Sequence, residues 1–173
     1  MKRLLLVLFT SCAMLTAHAQ CGTENTAFKS GEFLSYDLYF NWKFVWMKVG
    51  TASMSIVQST YNGKPAFRSS LITRGNSKLD NYFVMRDTLL CYTNLDLSPL
   101  YFRKGAREGK RYYVDELWYT YPNTNCHLRM HRIDHDGDVH WKDAEYKDCL
   151  YDIMSIFLRA RNFDASKLKV GEN

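Results

Sequence analysis

Proline is scarce in this chain, with 3 residues among 173. Past the first twenty positions no apolar run approaches the ~20 residues that a helical span of a bilayer needs, so a bundle of membrane-crossing helices is excluded. Cysteine is thinly spread, 5 residues with no C-x-x-C, which leaves a thioredoxin-like redox motif and a zinc ribbon unsupported. G-x-S-x-G, a Walker loop and G-x-G-x-x-G are all missing, so the familiar marks of hydrolases, P-loop enzymes and dinucleotide-binding domains are absent. Concentrated charge is lacking too. The formal net charge is +5, and no run of five basic residues occurs. That balance disfavours nucleic acid as a partner.

What is present begins with an address. Lys2 and Arg3 make a positive start, Leu4 to Phe9 open an apolar segment that runs weakly to Leu15, and Ala17-His18-Ala19 fits a signal-peptidase site. Residues 1–19 are therefore expected to be a signal peptide, cut before Gln20, with export to the periplasm or cell envelope. The run is too short for a transmembrane anchor. Cys12 follows a poor lipobox, and Cys21 follows none. Without Lys2 and Arg3, 21 basic residues face 18 acidic ones, a net charge of +3. Residues 20–173 suit one domain. Cys21, Cys91, Cys126 and Cys149 remain after cleavage. An oxidising compartment permits disulfides. Three full pairings are open, as is a role for some of these residues as small buried hydrophobes.

The remaining pattern is that of strands and turns. From Leu34 the even positions Tyr36, Leu38, Phe40, Trp42, Phe44 and Trp46 are apolar or aromatic, and Ala52, Met54 and Ile56 resume the parity. Period two means a strand with that face to one side. A single strand of that length would be about 75 Å long, far beyond the usual range. The run must therefore break, at Asn41–Lys43 and Lys48–Gly50. Tyr36, Leu38 and Phe40 are then expected in the core, and Trp42, Phe44 and Trp46 at the end of the sheet. Asn62-Gly63 marks a hairpin. Further strands are expected over 82–93, 100–107, 111–121, 126–133 and 138–142, between Gly-, Asn- and Pro-bearing turns. Leu150, Ile153, Met154, Phe157 and Leu158 give one amphipathic helix, with Asp148 as N-cap and Asn162 as stop. The fold class is mainly β: a curved antiparallel sheet, open or half-barrel, with one helix packed on it.

A series of segments carries a family resemblance. Gly31-Glu32-Phe33-Leu34-Ser35-Tyr36-Asp37, Tyr39-Phe40-Asn41-Trp42 with Val49-Gly50, and Asn62-Gly63-Lys64-Pro65-Ala66 come first. Arg86-Asp87, Leu97-Ser98-Pro99-Leu100-Tyr101-Phe102-Arg103, and Tyr151-Asp152-Ile153-Met154-Ser155 with Leu158-Arg159 follow. In order and spacing they resemble family 3108 of the domains of unknown function, exported bacterial envelope proteins. The resemblance implies an unassigned activity and a sheet that wraps an apolar cavity, as in periplasmic lipoprotein carriers. It also implies further strands beyond a segment like 168–173, so the chain is expected to be the front portion of a longer domain.

Candidate chemistry is thin. Asp134, Asp136, Asp138 and Glu145 fall at positions 1, 3, 5 and 12 of a calcium-type loop, but Val139 stands where the sharp turn requires glycine. His127, His131 and His135 share strand parity, with neighbours about 13 Å apart, too far to share a zinc ion. Asp37 and Asp87 could form a carboxylate pair if they share a sheet surface. Arg103, Lys104, Arg107, Lys110 and Arg111 form a basic hairpin that suits anionic headgroups or glycans, or a solvated edge that deters strand pairing.

The function expected from the sequence is non-catalytic: an exported envelope protein that binds an apolar or lipid-like ligand. Tyr36, Trp42, Phe44 and Trp46 are the candidate ligand-binding residues. No catalytic residue, metal or cofactor is expected, and the partners are a lipid or apolar ligand and a second envelope protein. A structural or assembly factor without a small ligand is the alternative, and a hydrolase of unknown substrate the third.

Overall fold

The structure, a computed structural model, describes residues 21–122, 125–164, 166 and 171. The expected signal peptide lies outside the described residues. Eight strands follow in order: β1 Glu32–Trp42, β2 Val45–Tyr61, β3 Lys64–Gly75, β4 Met85–Thr93, β5 Pro99–Glu108, β6 Arg111–Thr120, β7 Cys126–Ile133 and β8 Val139–Tyr146. One helix, α1, spans Ile153–Arg161. The strands form one antiparallel sheet in sequence order, open at β1 and β8.

Local chemistry sets the turns. Asn62 and Gly63 take φ of +50° and +77°, the left-handed pair that a two-residue hairpin requires. The long apolar alternation does break at residues 43–44, between β1 and β2. Its second expected break is a bulge instead. Leu38 pairs with Gly50 and Tyr39 with Lys48, so Val49 is the extra residue. Gly50 must be glycine there, because a Cβ would lie 2.4 Å from the Arg74 carbonyl oxygen.

The sheet has two unlike faces. On the inner face Ile56, Ser69, Cys91, Phe102, Leu117 and Met130 stand opposite one another across six strands. Phe28, Met154 and Leu158 join this core, and the Phe28 and Phe67 rings meet edge-on at 5.3 Å. The helix is capped by Asp152, not by Asp148 as its apolar spacing suggests. The Asp152 carboxylate accepts the N–H groups of Met154 (2.9 Å) and Ser155 (3.0 Å) and the Ser155 hydroxyl (2.6 Å). Leu150 packs on the core from the segment ahead of the helix, so the apolar spacing continues past the true start. Asn162 is the C-cap, as the sequence suggests.

A disulfide joins Cys21 to Cys149 across a sequence separation of 128, while Cys91 and Cys126 are free and buried. None of the three full pairings is realised: among the described cysteines one bond forms, and the Cys91 and Cys126 thiols act as core side chains. The bond ties the N-terminal segment to the approach to α1. Glu32 and Arg161 form an ion pair nearby.

None of the three residues expected in the core belongs to it, Leu38 being only half-buried and outside the core cluster. Tyr36 is 47% exposed and Phe40 53% exposed. Parity assigns a side chain to a face but not to a depth. β1 is an edge strand, α1 packs over β4, and the bulge at Val49 lies between Tyr36 and Phe40.

Candidate functional site

The sheet does not end evenly. Pairing of β2 with β3 stops at Gly50 and Gly75. Tyr39, Phe40, Asn41 and Trp42 pair with Lys48, Met47, Trp46 and Val45, forming a two-stranded arm beyond the third strand. Asn76 braces its base, with its N–H donating to the Val49 carbonyl at 2.7 Å and its side-chain amide to that of Lys48 at 3.3 Å. Lys48 and Asp37 pair at 2.6 Å across the same base. Phe44 is 89% exposed and Trp46 71%, and Tyr39, Phe40, Val45 and Met47 are exposed beside them. From Leu38 to Val49 the arm carries two lysines and no acid. Of the residues singled out from sequence, Phe44 and Trp46 both lie near this tip. Trp42 ends β1, and its side chain lies outside the described residues. Tyr36 stays on the sheet proper, opposite Ala52.

The outer face carries an arrangement that sequence reading missed. Tyr92, Tyr101, Trp118 and Arg129 stand opposite one another across β4 to β7. Tyr61 adjoins this row, with its ring 5.1 Å from that of Tyr92, and Tyr92 is 6.4 Å from Tyr101. Tyr101 lies 5.5 Å from Trp118, which stacks on Trp141 at 5.9 Å. His131 stacks on Trp141 at 4.3 Å, and the Arg129 guanidinium lies 4.7 Å from the same ring. One carboxylate sits among the rings: Tyr101 donates its hydroxyl to Glu116 Oε1 at 2.5 Å, and His131 Nδ1 lies 2.8 Å from Oε2. Burial pushes the Glu116 pKa up, but its hydrogen bonds to Tyr101 and His131 outweigh that and hold it below the usual carboxylate range.

Further along the same face lies a row of arginines. Arg74 stands opposite Arg86, and Arg86 opposite Arg107. With Thr88, Arg103, Gly105 and Tyr112 they line an open cleft of about 540 Å³. Arg86 binds Asp80 at 2.5 Å. Among the described residues Arg74 donates to two carbonyls, those of Thr73 at 3.1 Å and Asp87 at 3.3 Å. Arg103 lies 3.7 Å from Glu116 and so links this row to the rings. The expected basic hairpin is thus divided by strand alternation: Arg103 and Arg107 face outward, and Lys104 faces inward. There Lys104 binds Glu108 (3.2 Å) and the Tyr113 hydroxyl (2.6 Å).

The remaining groups have structural work. Asp134 Oδ1 accepts the N–H groups of Asp136 and Asp138, both at 3.0 Å, and Oδ2 lies 2.9 Å from His140 Nε2. This carboxylate closes the β7–β8 turn. Asp37 and Asp87 fall on opposite faces, because Asp37 pairs with Thr51 and Asp87 with Thr73, so they form no carboxylate pair. Burial raises the Asp87 pKa.

Residues 35–173 match the model of a family described as "Protein of unknown function (DUF3108)". The chain belongs to that family. No curated protein and no solved structure matches it. Among the described residues of this DUF3108 chain, no helix is long and apolar enough to cross a membrane.

Proposed function

We propose that this DUF3108 chain is a non-catalytic, exported protein of the cell envelope that engages a lipid surface through the β1–β2 arm. The observation that carries this reading is the arm itself, with Phe44 and Trp46 at 89% and 71% exposure on a ribbon that no third strand covers. An apolar cluster of this kind on a soluble surface marks an interaction site. Exposed aromatic rings with a lysine beside them suit the boundary between headgroups and acyl chains. The Cys21–Cys149 disulfide is compatible with an oxidising compartment. A lipid surface fits the arm better than a small ligand held in a cavity, because Phe44 and Trp46 stand out into solvent.

Co-sedimentation with vesicles of phosphatidylethanolamine and phosphatidylglycerol tests the reading. The native chain should pellet with the vesicles, and a Phe44→Asp, Trp46→Asp variant should stay in solution. A native chain that never pellets, or a variant that pellets equally, refutes it.

A further inference from the structure

We propose that the outer face of the sheet binds an anionic polysaccharide, with sugar rings stacked along the row from Tyr61 to Trp141 and acidic groups held by Arg74, Arg86 and Arg107. This surface shares no residue with the arm and stands independently of the lipid reading.

The arginine row is the first support. Like charges placed directly opposite on neighbouring strands destabilise a sheet, and here three guanidinium groups are so placed across β3, β4 and β5. Only Arg86 has a carboxylate partner; among the described residues Arg74 and Arg107 have none within 4.0 Å. An incoming carboxylate, sulfate or phosphate relieves that repulsion and can accept paired N–H donors from one guanidinium. The cleft is left open by Gly105, where a Cβ would come within 3.1 Å of Arg103 Nη1 and 3.6 Å of the Tyr112 hydroxyl oxygen.

The aromatic row is the second. Five rings and the His131 imidazole, from six strands, follow one another at spacings of 4.3 to 6.4 Å. Such a strip offers aromatic area with few rotamers to freeze, the property that makes tyrosine and tryptophan effective in recognition. The C–H faces of pyranose rings suit it. Glu116, at the centre, fixes the row by accepting from the Tyr101 hydroxyl and pairing with His131 Nδ1. From Tyr101 to Arg107 along β5 is six residues, about 20 Å, so a ligand touching both rows must be an extended chain. Single-stranded nucleic acid also uses stacked rings and arginines, so oligo-thymidylate enters the test as the competing class.

Isothermal titration of the full chain tests this, with polygalacturonate and dextran sulfate as acidic probes, neutral dextran as control and oligo-thymidylate as competitor class. The chain should bind at least one acidic probe at least tenfold more tightly than dextran, with affinity falling as salt rises. Arg74→Gln with Arg107→Gln should lower that affinity at least tenfold and flatten the salt dependence. Trp141→Ala, at an exposed position on the last strand, should lower affinity severalfold and leave the salt dependence unchanged. If the arginine variant does not fold, the salt titration of the native chain and Trp141→Ala carry the decision alone. No binding to either acidic probe, equal binding of dextran, or tighter binding of oligo-thymidylate overturns the proposal. So does acidic-probe binding that neither variant affects.

Discussion

Replacing Phe40 by alanine should scarcely destabilise the domain, although Phe40 continues the core parity of β1. The ring is 53% exposed and belongs to the arm. Fully burying a phenylalanine side chain contributes about 1.5–3 kcal/mol. With half the ring already in water, the transfer loss falls to about 1 kcal/mol. No enclosed cavity is left behind, so the second cost of large-to-small substitution is missing. Leu158 is the control. It is fully buried within the core that α1 closes, so Leu158→Ala should cost about 2–5 kcal/mol from transfer and cavity together. Urea unfolding of the disulfide-intact chain measures both. With slopes of about 1–3 kcal/mol per molar for a small protein, Leu158→Ala should lower the midpoint by about 1–2 M and Phe40→Ala by a few tenths of that. If Phe40→Ala matches Leu158→Ala, the arm is packed against something, and its reading as a projecting ribbon is wrong.

Cys149→Ser removes a bond that closes a loop with a sequence separation of 128. Removing a native disulfide typically costs about 2–5 kcal/mol, so calorimetry should show Tm lower by roughly 10 °C; an unchanged Tm would mean that the N-terminal segment is not held through Cys21. Glu116 has a folded-state pKa below its ordinary value, so the stability it contributes is present above the unfolded value of about 4.3 and is lost as pH falls through the folded value. Glu116→Gln should therefore give a shallower loss of stability below about pH 4.3, measured by urea midpoints from pH 3 to 6, and an identical slope would contradict the charge assigned to Glu116 among the rings.

Much of the sheet was legible from residues alone, because its turns are set by local chemistry. Asn62-Gly63 can adopt the left-handed pair, and β7 runs from Cys126 to Ile133 as its pattern indicates. The helix start was displaced because Leu150 is apolar for packing without being helical, whereas the cap depends on Asp152 reaching two N–H groups. The depth of Phe40 was not legible, since alternation is blind to which strands lie at an edge. The aromatic row was hidden for a related reason. Its rings come from β2, β4, β5, β6, β7 and β8, and only the pairing register brings them together. A search for aromatic residues on the parity opposite to each strand's core positions would have found Tyr92, Tyr101, Trp118 and Trp141. Phe44 and Trp46 were located correctly at the end of the sheet, because a strand of limited length must turn there.

The arm's engagement with lipid is tested most directly by the depth of one indole. In a chain retaining Trp46 alone, with Trp42, Trp118 and Trp141 changed to Phe, fluorescence is followed on vesicles of phosphatidylethanolamine and phosphatidylglycerol brominated at defined acyl positions. The account predicts a blue-shifted Trp46 emission, quenched most by bromines nearest the headgroups, where interfacial tryptophans reside. Emission that stays at its value in water and resists quenching at every depth would contradict it.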